Sequence, residues 1–171
     1  TENGKPANEE FMITLNKGDC YFVQSKNESR GLADLTGTLV RSDKKIGVLS
    51  GHVRASIPVG VEKDLDSKDH LIEMLMPKKS WGSKFVSVPF GVNSQGDYFK
   101  VVSDNPDVQI KQTTSGGDIT QTTNIANNQA IFQKVNEPAI WTSSEPVEIA
   151  QFMMRTEVVD DINFADYDPS L

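Results

Sequence analysis

The chain holds two histidines, His52 and His70, and each lies among groups that could ligate a metal or move a proton. His52 sits in Ser50-Gly51-His52-Val53-Arg54 and His70 in Asp69-His70-Leu71-Ile72-Glu73, with Glu62, Asp64 and Asp66 between them. A zinc site needs three or four convergent His, Cys or carboxylate ligands, and His52, Asp69, His70 and Glu73 could in principle supply them. The run His-Leu-Ile-Glu is not the two-histidine helical spacing of a zinc hydrolase, however, and no third histidine exists. The reading adopted is that Asp69, His70 and Glu73 hydrogen-bond to pin a loop to a sheet, with no metal. Asp64, Asp66 and Asp69 offer oxygens of the kind calcium prefers. The spacing and central glycine of an EF-hand loop are missing, and Lys63 and Lys68 compete with any cation. A solvated acidic loop is the expectation.

Other catalytic chemistry finds less support. Cys20 stands beside Tyr21 and Phe22 on an expected strand, which suits a small core residue better than an activated thiol. No Gly-x-Ser-x-Gly elbow or phosphate-cradling loop is present. Gly116-Gly117, in a Ser/Thr-rich setting, reads as a hairpin turn. Trp81 and Trp141 could stack on sugars, although packing in a core or at its rim is the commoner fate of a lone tryptophan. The expectation is a protein that is not an enzyme and uses no cofactor.

Composition narrows the partners. The 171 residues are enough for one domain, or two small ones, with a real core. A net charge of −7 argues against a nucleic-acid surface, which needs a basic stripe to neutralise phosphate. No apolar run approaches membrane-spanning length, so no membrane insertion is expected. The chain opens Thr1-Glu2-Asn3-Gly4 without an initiator Met, which reads as a processed product or an excised piece of a larger protein. Its one cysteine cannot close an internal disulfide. Asn27-Glu28-Ser29 is a glycosylation sequon and makes Asn27 a candidate acceptor.

The elements that would position these residues read as strands. Short apolar and β-branched runs recur between turn residues such as Asn16-Lys17-Gly18-Asp19 and Asn105-Pro106-Asp107. Strands are expected near 10–15, 20–24, 37–41, 45–50, 70–75, 84–90, 97–103, 107–112, 119–124, 129–133, 139–142 and 147–153. Residues 70–76 fit one or two helical turns as well as a strand, because Leu71, Met74 and Leu75 share a helical face while the apolar residues also alternate. Residues 42–50 resemble 143–151, and Leu15-Asn16-Lys17-Gly18-Asp19-Cys20-Tyr21-Phe22 resembles Ile125-Ala126-Asn127-Asn128-Gln129-Ala130-Ile131-Phe132. The fold class expected is all-β: an antiparallel, sandwich-like architecture with an internal duplication and little helix. Its parts are the end of a first β-module (1–52, opening strands missing), a connecting loop and start of a second module (53–96), the remainder of that module (97–155), and an acidic tail (156–171), partly disordered or docked on a neighbour.

The run Asp34-Leu35-Thr36-Gly37-Thr38-Leu39-Val40-Arg41-Ser42-Asp43-Lys44-Lys45-Ile46-Gly47-Val48-Leu49-Ser50-Gly51-His52 resembles the N-terminal domain of the IgG Fc-binding protein family. So do Asp69-His70-Leu71-Ile72-Glu73-Met74-Leu75-Met76-Pro77, Ser80-Trp81-Gly82-Ser83-Lys84-Phe85-Val86-Ser87-Val88-Pro89, Gly96-Asp97-Tyr98-Phe99-Lys100-Val101-Val102-Ser103 and Ser144-Glu145-Pro146-Val147-Glu148-Ile149-Ala150-Gln151-Phe152. The resemblance implies an extracellular β-rich module of a larger secreted or cell-surface protein, with a binding or adhesive role toward a protein or glycoprotein. Antibody binding is not carried over with it. Many members place a cysteine shortly after the Ser-Gly-His segment and another just before Asp-His-Leu; here Arg54 and Lys68 stand at those positions. The missing cross-link implies a looser loop, held by ionic and hydrogen-bonded contacts. The candidate binding residues are therefore His52, Arg54, Asp64, Asp66, Asp69, His70, Glu73 and Trp81. The alternative is a carbohydrate-binding module using Trp81 or Trp141.

Overall fold

A computed structural model describes residues 4–6, 8–26, 34–55, 57, 69–90, 96–115, 117, 119–125 and 130–153. It divides the chain into two compact units, Thr1–Leu35 and Thr36–Leu171.

The described part of the first unit carries no strand. Asn16 and Asp19 close a tight turn: the Asp19 N–H donates to the Asn16 carbonyl (3.0 Å) and the Asp19 carboxylate accepts from the Asn16 N–H (2.8 Å). Gly18 takes the left-handed backbone (φ 91°) that glycine adopts without a Cβ clash. The strands expected at 10–15 and 20–24 are absent, although the turn between them forms as the sequence predicts. Their apolar side chains, Met12 and Phe22 among them, stay exposed. Alternation offers a face to bury but does not itself supply the ladder partners and covering layer that make a strand stable. Cys20 is exposed too, which corrects its expected place as a core residue.

The second unit holds eight strands: β1 (Leu49–Ala55), β2 (Asp69–Met74), β3 (Gly82–Ser87), β4 (Asp97–Val102), β5 (Val108–Thr114), β6 (Ile119–Ile125), β7 (Ala130–Val135) and β8 (Ala139–Phe152). Every pairing is antiparallel. The one helical element among the described residues is a 3-10 turn, Lys78–Ser80. The all-β expectation holds. The strand expected at 37–41 is missing, and the one expected at 45–50 begins only at Leu49.

β8 organises the rest. Its first half lies between β5 and β3, and its second half pairs with β4, which in turn pairs with β7. The strands expected at 139–142 and 147–153 are thus one strand that passes from one group of partners to the other. Pro146 sits at the crossing, where its missing N–H costs no ladder hydrogen bond. There the Gln109 N–H donates to the Ser144 hydroxyl (3.0 Å), and the Ser143 hydroxyl donates to the Glu145 carbonyl (2.6 Å). The matched runs 42–50 and 143–151 adopt different structures, the former mostly irregular and the latter within β8, so the fold gives the internal duplication no support.

The core follows from strand alternation. Phe99 and Val101 of β4, Val108 and Ile110 of β5, Val135 of β7, and Ala139, Trp141 and Val147 of β8 form one buried cluster. The Phe99 and Trp141 rings meet at 5.2 Å between centroids. Burying side chains of this size contributes about 1.5–3 kcal/mol each. Two polar groups inside the core, the Trp141 indole and the Asp97 carboxylate, are satisfied. The Trp141 indole Nε1–H donates to the Ser87 hydroxyl (2.8 Å), and the Asp97 carboxylate accepts from the Phe90 N–H (2.8 Å) and from Gln151 Nε2 (2.7 Å). Just before Asp97, Gly96 has φ 84°, and a Cβ there would lie 2.1 Å from the Val135 carbonyl oxygen.

Candidate interaction surface

Both histidines lie on the two-stranded ribbon of β1 and β2, which is separate from the six-stranded sheet. The register pairs Leu49 with Met74, Ser50 with Glu73, Gly51 with Ile72 and His52 with Leu71; an irregularity then brings Ala55 opposite Asp69. Residues directly opposite one another share a face, and successive residues alternate. His52 therefore lies on the face of Ser50, Leu71 and Glu73, whereas His70 lies on the face of Leu49, Ile72 and Met74. Gly51 fits the close approach of the strands, since a Cβ there would sit 2.5 Å from the Leu71 carbonyl oxygen. The expected helical alternative for 70–76 gives way to a strand because β1 supplies the ladder that period-2 alternation needs.

Two hydrogen bonds of the ribbon's polar side chains are local. The Arg54 N–H donates to His52 Nδ1 (3.0 Å), and the Met74 N–H donates to the Glu73 carboxylate (3.0 Å). Among the described residues no group of three or more His, Cys, Asp or Glu is placed to hold a metal ion. Arg54 stands in β1. Asp64, Asp66, Lys68 and Asn27 lie outside the described residues. Trp81 is off the ribbon, immediately after the 3-10 turn, where its N–H donates to the Lys78 carbonyl (3.0 Å). It is half-buried, and its indole nitrogen is enclosed without a hydrogen-bond partner among the described residues. Trp141 is 1% exposed and cannot present a ring to a sugar, which removes it from the carbohydrate alternative.

The most prominent feature of the ribbon is an apolar face open to solvent. On the face shared with His70, Leu49 is 63% exposed, Val53 92%, Ile72 66% and Met74 59%. A strand pair normally turns its apolar face onto a core; here that face meets solvent. The signal was present in the sequence as the alternation Leu49, Gly51, Val53 against His70, Ile72, Met74. Alternation marks one face of a strand and does not say what lies against it.

The end of the ribbon next to β8 is tied down. The Leu75 N–H donates to the Val48 carbonyl (2.9 Å), extending the ladder past Met74, and the Met76 N–H is hydrogen-bonded to the Glu148 carboxylate of β8. Burial raises the Glu148 pKa above its ordinary value, and the Met76 hydrogen bond opposes that shift in part. An ion pair between Lys78 and Asp104 fixes the segment that follows.

Fold and surface together define an antiparallel β-module that displays an apolar ribbon face. The chain belongs to the IgGFc binding protein family, whose model matches residues 1–171. It is similar to the IgGFc-binding protein of Homo sapiens, with 27% identity over 173 residues, covering 100% of this chain and 3% of that protein. The chain thus spans a small fraction of the length of the relative it matches. No solved structure matches it.

Proposed function

We propose that this chain is a non-enzymatic, extracellular or cell-surface binding and adhesion module of a larger protein, and that the β1–β2 ribbon is its contact with a protein or glycoprotein partner. The observation that carries the reading is the exposed apolar face of Leu49, Val53, Ile72 and Met74. Apolar faces left open on a folded protein are characteristic of interaction sites. Family membership supports an extracellular setting, and the human relative is named for binding the Fc part of IgG. Arg54, His70 and, on the opposite face, His52 and Glu73 supply polar groups around the apolar residues.

Interferometry with the immobilised chain against purified IgG Fc and a panel of secreted glycoproteins tests this. Saturable binding that Val53→Asp and Ile72→Asp weaken at least tenfold, with unchanged melting curves, is the expected result. A carbohydrate-binding role through Trp81 makes a different prediction, namely binding to free glycans that Trp81→Ala abolishes and the ribbon variants leave intact. That outcome, or no binding to any of the proteins, overturns the proposal.

A further inference from the structure

β3 is an edge of the main sheet: it pairs with β8 alone. In an antiparallel ladder successive residues direct their N–H and C=O groups to opposite sides. Alternate residues of Gly82–Ser87 therefore point these groups away from β8. Among the described residues no backbone group of another segment hydrogen-bonds to them.

The side chains beside this edge form two rows. Lys84, Thr142 and Lys111 stand in line across β3, β8 and β5, and Val86, Ile140 and Thr113 form the next row. Both rows are on the outer face, because Phe85 and Trp141, which alternate with them, pack on the core side. Val86 is 72% exposed. A cleft of about 180 Å³, lined in part by Val86, Thr113, Pro138 and Ile140, opens beside it.

In a chain of net charge −7, the middle of this edge is basic. Lys84 and Lys111 are exposed and make no ion pair among the described residues. Acids stand toward the two ends. Glu137 lies two residues before Ala139, the partner of Ser87, and Glu145 and Glu148 flank Val147, the partner of Gly82. Asp104 is taken by Lys78. An incoming acidic group is therefore favoured at the middle of the edge, opposite Lys84, and disfavoured at either end.

We propose that β3 accepts an extended peptide segment of another protein as an added antiparallel strand. The segment carries an apolar residue opposite Val86 and, two residues on, an Asp or Glu opposite Lys84. Backbone pairing supplies the binding and the two side chains select the segment. Edge lysines guard natural sheets against pairing edge to edge; an acid opposite Lys84 turns that guard into a cross-strand ion pair. The surface uses neither strand of the β1–β2 ribbon, so it does not rest on the ribbon's role.

The probe is the end-blocked peptide Ser-Thr-Thr-Leu-Thr-Glu-Thr-Thr-Ser, titrated into the 15N-labelled full chain and followed by amide NMR shifts. Saturable shifts centred on β3, with a Kd of about 1 mM or tighter, are expected. Two N-methylated forms of the peptide, blocked at alternate residues, test the ladder: one should bind at least tenfold more weakly and the other within twofold of the parent. Lys84→Glu should weaken binding at least tenfold, and the peptide with Lys in place of its Glu should restore it to that variant. Val53→Asp and Ile72→Asp should leave peptide binding unchanged, which keeps this result separate from the interferometry. No saturable binding, shifts centred elsewhere, equal losses for the two N-methylated forms, or no restoration by the charge swap overturns the proposal. Sedimentation of the chain without peptide is expected to show a monomer at this edge; a dimer that Val86→Lys dissolves also overturns it, because the occupant is then a second copy.

Discussion

Replacing Asp97 by alanine tests the hydrogen-bond accounting of the fold. Asp97 is 1% exposed, and one of its carboxylate oxygens accepts from the Phe90 N–H and from Gln151 Nε2. Gln151 keeps a second acceptor, the Val88 carbonyl at 2.9 Å, so alanine strands mainly the Phe90 N–H and loses a charge-assisted bond to the glutamine. Hydrogen bonds to charged groups contribute about 1.5–3 kcal/mol, and a buried donor left unpaired costs about 1–3 kcal/mol. Taking both effects at the lower half of their ranges, Asp97→Ala should destabilise by about 3 kcal/mol. At about 2–4 °C per kcal/mol for a protein of this size, Tm falls by about 6–12 °C. Asp97→Asn keeps a carbonyl oxygen able to accept both bonds and should cost only about 1 kcal/mol, the difference between a charged and a neutral acceptor. Urea unfolding followed by far-UV circular dichroism, with a thermal melt alongside, reads both variants. If Asp97→Ala lies within about 0.5 kcal/mol of wild type, the range typical of surface substitutions, the network does not hold the 88–90 segment to β4 and β8 and the reasoning fails.

Two further substitutions probe the same scaffold. Gly96→Ala combines a left-handed backbone with a Cβ driven against the Val135 carbonyl, so it should cost more than Asp97→Asn, about 3 kcal/mol or above, and reduce the yield of folded protein measured by gel filtration. Glu148→Gln tests the pH dependence. A carboxyl whose folded-state pKa is raised makes the folded protein bind more protons than the unfolded chain, so its contribution is fully present below the ordinary value of 4.5 and is lost as pH rises through the raised value. Wild type should therefore lose stability relative to Glu148→Gln as pH climbs from 4.5 toward neutral, and the two should run parallel at neutral pH and above; parallel curves across the whole range refute the assignment.

Much of the second unit can be read from its amino acids. Alternation in 97–102 and 108–112 correctly puts Phe99, Val101, Val108 and Ile110 inside, because each strand meets a sheet that covers one face. The same alternation misleads at 10–15 and 20–24, where no strand forms and apolar residues such as Met12 and Phe22 are exposed. The exposed ribbon face was harder still. His52 and His70 drew attention as paired ligands, but one pairing, His52 with Leu71, sends them to opposite faces of the ribbon. In sequence the exposed apolar face is indistinguishable from a buried one.

By itself the sequence determined the secondary-structure class, the turn at Asn16 to Asp19, most strand positions from Asp69 onward and the family. These depend on local backbone preference and period-2 patterning, which each short stretch carries within itself. Tertiary structure alone decided that Trp141 is core and Trp81 only half-covered, that β8 is one strand serving two sets of partners, and that the β1–β2 ribbon stands apart from the main sheet. Those outcomes depend on which distant segments meet: a side chain's exposure is a property of its neighbours in space, and neighbours such as Met76 and Glu148 are far apart along the chain.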